Sequence, residues 1–235
     1  MGQTVSFERP DGQSLAGYLS EPASPLPGRP GLVVIQEWWG LNDQIRGVAD
    51  RFAQAGYRAL VPDLYRGKST VEAEEASHLM NALDFADAAA QDVRGAVRFL
   101  QGGGSAKVGV TGYCMGGALT LLASMHVPEM AAGTVWYGFP PLEYVDATKI
   151  GVPLQAHWAE RDVVFKIETV TELEQRFAAA GVAYSGHRYA CEHAFANEIA
   201  VPGGNIVPGV TRYDEAAATL AWARTLEFLG RSLGG

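Results

Sequence analysis

Cysteine is scarce: Cys114 and Cys191 are the only two in a chain of 235 residues. They allow one disulfide at most, too few for a disulfide framework and compatible with a reducing compartment. The five histidines show no HExxH spacing, and there is no paired CxxC. A metal site would have to be assembled from distant residues, so neither metal nor cofactor is expected. No apolar run approaches the ~18 residues that a spanning helix needs, and the opening "MGQTVSFERPDG" has no basic stretch leading into an apolar one. The expectation is a soluble, cytoplasmic protein with no membrane partner. Lys/Arg-rich runs are missing too, and the formal net charge of -8 repels a polyanion. Nucleic acid is not an expected partner.

The residues that are present suit a folded enzyme. With 48% hydrophobic residues and 28 glycines, the chain can build a full core, and at this length one domain over residues 1–235 is expected, a monomer being favoured. "VSFERPDGQSLAGYLSEP" alternates apolar and polar residues on either side of Asp11-Gly12, a hairpin signal. The four prolines of "EPASPLPGRP", residues 21–30, favour an extended connection. From Gly31 the rhythm changes. Short apolar runs at "GLVVIQ", "YRALVPDLY", "KVGVTGY", "AAGTVWYG", "VPLQAHWA" and "YSGHRYA" read as strands. Between them lie helical patterns, the first with Ile45, Val48, Ala49 and Phe52 on one face and a stop at Gly56. Two helical stretches are expected over about 70–100, one from Met115, one near 167–180 and a last one at "DEAAATLAWARTLEFL". The fold class is therefore α/β: a mostly parallel central sheet with helices on both faces and an antiparallel N-terminal hairpin.

"KVGVTGYCMGG" carries the chemistry. A nucleophile at the end of a parallel strand must turn sharply into the next helix, and small residues two before and two after relieve the crowding. Gly112-Tyr113-Cys114-Met115-Gly116 has this form, with Cys in place of the usual Ser. The N-terminus of the following helix favours thiolate over thiol. Alone, the turn also suits a small buried thiol; its partners decide between the two. In the α/β-hydrolase arrangement an acid and then a histidine follow at later strand ends. Asp162 lies in the loop after "VPLQAHWA", and His193 lies just beyond the next strand. His78, His126, His157 and His187 fall on helices or within strands and are less well placed as bases. The loop after "VVIQ" and the residue after the nucleophile supply the expected oxyanion amides, Trp38 and Met115. Glu37, at the same strand end, is expected to face the site.

The turn around Cys114, Asp162, His193, "QEWWG" and "VPDLYRG" together resemble the dienelactone hydrolases, cysteine α/β-hydrolases that open enol-lactones. The similarity spans essentially the whole chain. It implies a Cys114-Asp162-His193 triad, with Glu37 contacting the thiol in the resting enzyme and helping to take its proton once substrate binds. Two departures bear on substrate. The founding members hold a substrate carboxylate with two arginines; here Asn197 stands four residues after His193, and Ala73 falls where the other arginine would be. Arg66 or Arg161 is left to substitute. Otherwise Trp38, Trp39, Tyr137 and Phe139 supply an aromatic pocket for a less charged ester or lactone, with core packing an equal alternative for Tyr137. The expected activity is a cysteine-dependent ester or lactone hydrolase acting through an acyl-enzyme. A non-catalytic ligand binder or redox sensor on the same fold, or an acyltransferase, is the alternative.

Overall fold

The computed structural model describes residues 2–24 and 28–234. The expected hairpin is β1 (Gln3–Glu8) and β2 (Ser14–Ser20), paired antiparallel with Phe7 opposite Leu15. Gly12 takes φ 84° in the turn, a region that glycine enters at little cost. The proline-rich connection follows, its residues 25–27 lying outside those described. β3 (Gly31–Ile35), β4 (Arg58–Pro62), β5 (Val108–Tyr113), β6 (Ala132–Trp136), β7 (Leu154–Ala159) and β8 (Tyr184–Tyr189) then join the same sheet. The strand order is β1-β2-β4-β3-β5-β6-β7-β8, parallel from β4 to β8.

Alternation within the strands sorts the core into two layers. On β3, Val33 and Ile35 pack with α4 (Arg94–Gly102), α5 (Met115–His126) and α6 (Ile167–Ala180), which bring Val97, Leu119 and Leu173 among others. Leu32 and Val34 face the other way, toward α1 (Asp43–Gln54) and α7 (Glu215–Leu233). Because successive strand residues point to opposite faces, this β3 is buried on both sides and carries no polar residue. α1 presents Ile45, Val48, Ala49 and Phe52 to the sheet, and its first turn is closed by the Asn42 side chain accepting from the Ile45 amide at 3.1 Å. Burying a side chain such as Phe52 stabilises the fold by roughly 1.5–3 kcal/mol, and a Phe52→Ala change would cost about 3–5 kcal/mol.

One element is more irregular than its periodicity suggests. After α2 (Ala73–Asn81), the second helical stretch begins as α3 (Phe85–Asp87), passes through a π-helical turn (Ala88–Val93) and continues as α4. Inside that turn Asp92 is fully buried and accepts from Arg9 at 2.9 Å and from Arg66 at 2.9 and 3.0 Å. The ion pairs tie the hairpin and the β4–α2 loop to this helix.

The six strands β3 to β8 run parallel, so their carboxyl ends lie along one edge of the sheet. This arrangement is the α/β-hydrolase fold, and the carboxyl ends of its parallel strands form the customary place for a ligand.

Candidate active site

The turn after β5 is built for close approach. Cys114 takes φ 52° and ψ -115°, a strained conformation for a residue with a side chain, and its amide donates to the Trp136 carbonyl at 2.9 Å. A Cβ on Gly112 would run into the carbonyl of Gly116, and one on Gly138 into the carbonyl of Cys114. A Cβ on Gly116 would lie 2.5 Å from the Ile35 carbonyl oxygen on β3. Glycine at these positions lets strand, turn and helix pack against one another while Sγ stands clear of the sheet. Cys114 is half-buried, whereas Cys191 is buried and its thiol is pushed up to about 12, chiefly by that burial.

The loops after β7 and β8 bring a histidine and a carboxylate to Sγ. His193 Nε2 lies 3.1 Å from Cys114 Sγ, and His193 Nδ1 lies 2.7 Å from Asp162 Oδ2. Asp162 Oδ1 accepts the backbone amides of Val164 and Phe165 at 2.8 and 2.9 Å, which fixes the carboxylate's orientation. The His193 ring is held between Tyr137, edge-on at 5.2 Å, and Phe165 at 5.5 Å. Burial alone would lower the imidazolium; the interactions with Cys114 and Asp162 outweigh it and lift His193 to about 10. Nδ1 therefore donates to Asp162, and Nε2 carries its proton toward sulfur.

Glu37 follows β3 and is buried beside this relay. Its Oε1 accepts from the Tyr137 hydroxyl at 3.1 Å and its Oε2 from Asn197 Nδ2 at 2.6 Å. Burial raises its carboxyl above the usual range, opposed by the His193 charge and by these two donors. Both donors are neutral, so no cation offsets the loss of solvent directly. Asn197 is itself anchored, accepting the Ile199 amide at 3.1 Å through Oδ1.

A cleft of about 810 Å³ opens above these residues. Trp38, Trp39 and Phe139 line it as the sequence suggests, the two tryptophan rings meeting at 5.0 Å and 62°. Tyr137 does not line it. Its φ of 38° turns the side chain beneath the site, where it is fully buried and donates to Glu37. Arg66 does not line it either, because Asp92 holds its guanidinium through two hydrogen bonds. Arg161 is exposed outside the cleft, and Ala73 sits at the exposed start of α2. Among the described residues, no lysine or arginine lines the cleft. The backbone amides of Trp38 and Met115 border it and have no acceptor among the described residues. His157 is buried on Thr225 and Tyr189 at 2.8 and 2.9 Å, away from sulfur.

Much of the lining was not singled out by sequence. Met80, Leu83 and Phe85 come from the α2–α3 connection, and Val207 and Val210 from the segment between β8 and α7. Only the fact that these segments follow or flank strand ends marks them, since no periodicity aims a loop residue inward.

The sequence matches the dienelactone hydrolase family over residues 15–233. Protein usf of Aquifex pyrophilus is 35% identical over 245 residues, with 97% of each chain covered. A protein of Aquifex aeolicus provisionally named carboxymethylenebutenolidase is 32% identical over 212 residues, covering 84% of this chain and 88% of its own. Among solved structures, a dienelactone hydrolase-like promiscuous phosphotriesterase from metagenomic libraries superposes with a TM-score of 0.87 at 22% identity, over 99% of this chain and 98% of its own. That last likeness speaks to the fold alone. No described helix is long and apolar enough to cross a membrane. The family match over nearly the full length, and relatives above 30% identity, identify the chain as a member of the dienelactone hydrolase family, whose hydrolases act on esters and lactones.

Proposed function

We propose that this protein is a cysteine-dependent hydrolase of uncharged carboxylic esters or lactones, acting through a thioester acyl-enzyme. The observation that carries this reading is the continuous relay from Cys114 Sγ through His193 to Asp162, at 3.1 and 2.7 Å, at the base of a cleft that no described lysine or arginine lines.

Cys114 thiolate adds to the substrate carbonyl carbon, and the oxyanion is received by the Trp38 and Met115 amides. As the C–O bond breaks, His193 Nε2 gives its proton to the leaving alkoxide. Water then adds to the thioester with His193 as base, the C–S bond breaks, and carboxylic acid and thiolate are regenerated. Asp162 keeps the imidazole in the required tautomer. Both Glu37 oxygens are held by Tyr137 and Asn197, so the thiol's proton is assigned to His193, whose Nε2 lies 3.1 Å from Sγ. Neither metal nor cofactor enters the scheme.

Among the described residues no lysine or arginine lines the cleft, which favours neutral substrates. An arginine pair around a carboxylate supplies charge-assisted bonds of roughly 1.5–3 kcal/mol each, and here Asn197 and a sequestered Arg66 supply none. Hydrolysis of p-nitrophenyl acetate by the wild type, lost in Cys114→Ala, is the expected result. Turnover retained by Cys114→Ala refutes the nucleophile assignment.

A further inference from the structure

We propose that the acyl group of the substrate is a medium-length, unbranched apolar chain lying along α5, a reading that rests on the Cys114 esterase assignment above. Four residues of α5 line the cleft: Met115, Ala118, Leu122 and His126. Their spacing of three, four and four residues is one stripe of a helix. The cleft therefore runs along the axis of α5, from the residue next to the nucleophile to the last residue of the helix. At 1.5 Å per residue that is about 16 Å, enough for an extended chain on the order of ten carbons.

Chemistry decides which half of the substrate occupies this arm. The leaving oxygen must reach His193 Nε2, so the alcohol portion lies on the histidine's side, where Ala194, Val207, Val210 and Thr211 line the cleft. The carbonyl oxygen points to the Trp38 and Met115 amides. The remaining direction, along α5, receives the acyl chain. Leu83, Phe85, Phe139 and Tyr144 make the lining there mostly apolar, with the carboxylate of Asp84 between the first two. Two lining residues, Tyr144 and Val164, are 64% and 51% exposed. A bound chain covers them. Among the described residues no lysine or arginine lines the arm to hold a small anionic acid there.

The test is a series of p-nitrophenyl esters from acetate to dodecanoate with the wild-type protein, below the micellar limit of each. kcat/KM is expected to climb from acetate to about octanoate or decanoate, by up to about fourfold per methylene, and then to level off. A parallel series of alkyl acetates, followed by acid release, is expected to show a much flatter dependence. Leu122→Trp, and independently Ala118→Leu, should each lower the octanoate-to-acetate ratio of kcat/KM at least tenfold; the ratio is read within one preparation, so loss of folded protein does not move it. If acetate is hydrolysed through Cys114 but the profile is flat or falls beyond butyrate, or both variants keep the wild-type ratio, the acyl arm is refuted while the esterase reading stands. If no ester of the series is hydrolysed, both are refuted.

Discussion

Asp162→Asn isolates the tautomer on which the relay depends. In the wild type, Oδ1 of Asp162 takes the amides of Val164 and Phe165, at 2.8 and 2.9 Å, and Oδ2 takes His193 Nδ1 at 2.7 Å. An asparagine at this position has one oxygen, and the two backbone donors retain it, because turning the amide over would set its NH2 against two N–H groups and leave both unsatisfied in a buried loop. Each such loss costs about 1–3 kcal/mol. The NH2 therefore faces His193 and donates to Nδ1, which drives the ring proton onto Nε2 of a neutral imidazole. Nε2 can then no longer accept the proton of the thiol or of water. A wrong-tautomer substitution of this kind costs on the order of 10⁴ in kcat in a serine-protease triad. The cysteine enzyme is expected to lose somewhat less, about 10³-fold, because a thiol ionises more readily than a hydroxyl. The support that Asp162 gives to the raised His193 also disappears. The assay is kcat/KM on p-nitrophenyl acetate from pH 6 to 10, with circular dichroism and thermal melting to show a folded protein. A folded Asp162→Asn enzyme within tenfold of the wild type refutes the argument and requires another carboxylate to orient His193.

Three further outcomes are expected. Brief iodoacetamide treatment followed by peptide mass spectrometry should modify Cys114 first, because Cys191 is buried and its thiol pushed up to about 12; preferential labelling of Cys191 contradicts the assignment. kcat/KM for a neutral aryl or alkyl ester should equal or exceed that for a carboxylate-bearing dienelactone, and Asn197→Arg should shift the ratio toward the anion by an order of magnitude or more; a wild type that strongly prefers the anion contradicts the reading of the cleft. Since His193 is raised from 6.5 to about 10 on folding, the stability contributed by its charged form is complete below the unfolded value and lost as pH rises through the folded one. The melting temperature should therefore fall between pH 6.5 and 10, and His193→Gln should flatten that fall; an equal decline in the variant assigns it to other groups.

The sheet was legible because burial on two faces writes itself as short apolar runs. "GLVVIQ" and "KVGVTGY" admit little else between glycines and polar turns, and the strands they become sit side by side. That Cys114, Asp162 and His193 would meet was also readable, since each occupies a residue or loop directly after a strand and the parallel sheet brings those ends together. Two kinds of feature were hidden. The π-helical turn at Ala88–Val93 carries Asp92, whose partners Arg9 and Arg66 lie far away in sequence. The same pairing removed Arg66 from the substrate-binding role expected of it. Tyr137 was hidden in another way: its aromatic ring suggests a pocket wall, but a backbone φ of 38° directs it beneath the site. Nothing in a sequence window announces a single residue in that conformation.

Asn197 ties substrate charge to the state of the neighbouring glutamate. An arginine there would do two things: offer a cation to a substrate carboxylate and hold Glu37 as a charged partner in a buried place. Asparagine retains only the geometry, with its Nδ2 2.6 Å from Glu37 Oε2, and supplies no charge to either. Burial then dominates over the two neutral donors and the more distant His193, so the Glu37 carboxyl is raised. With asparagine at 197, the same side chain that keeps an arginine out of the cleft leaves Glu37 without a cationic partner there. Restoring arginine at this one position should therefore lower the Glu37 carboxyl as it brings anionic lactones into the site, whereas a cation introduced on the cleft wall away from Glu37 should change substrate preference alone.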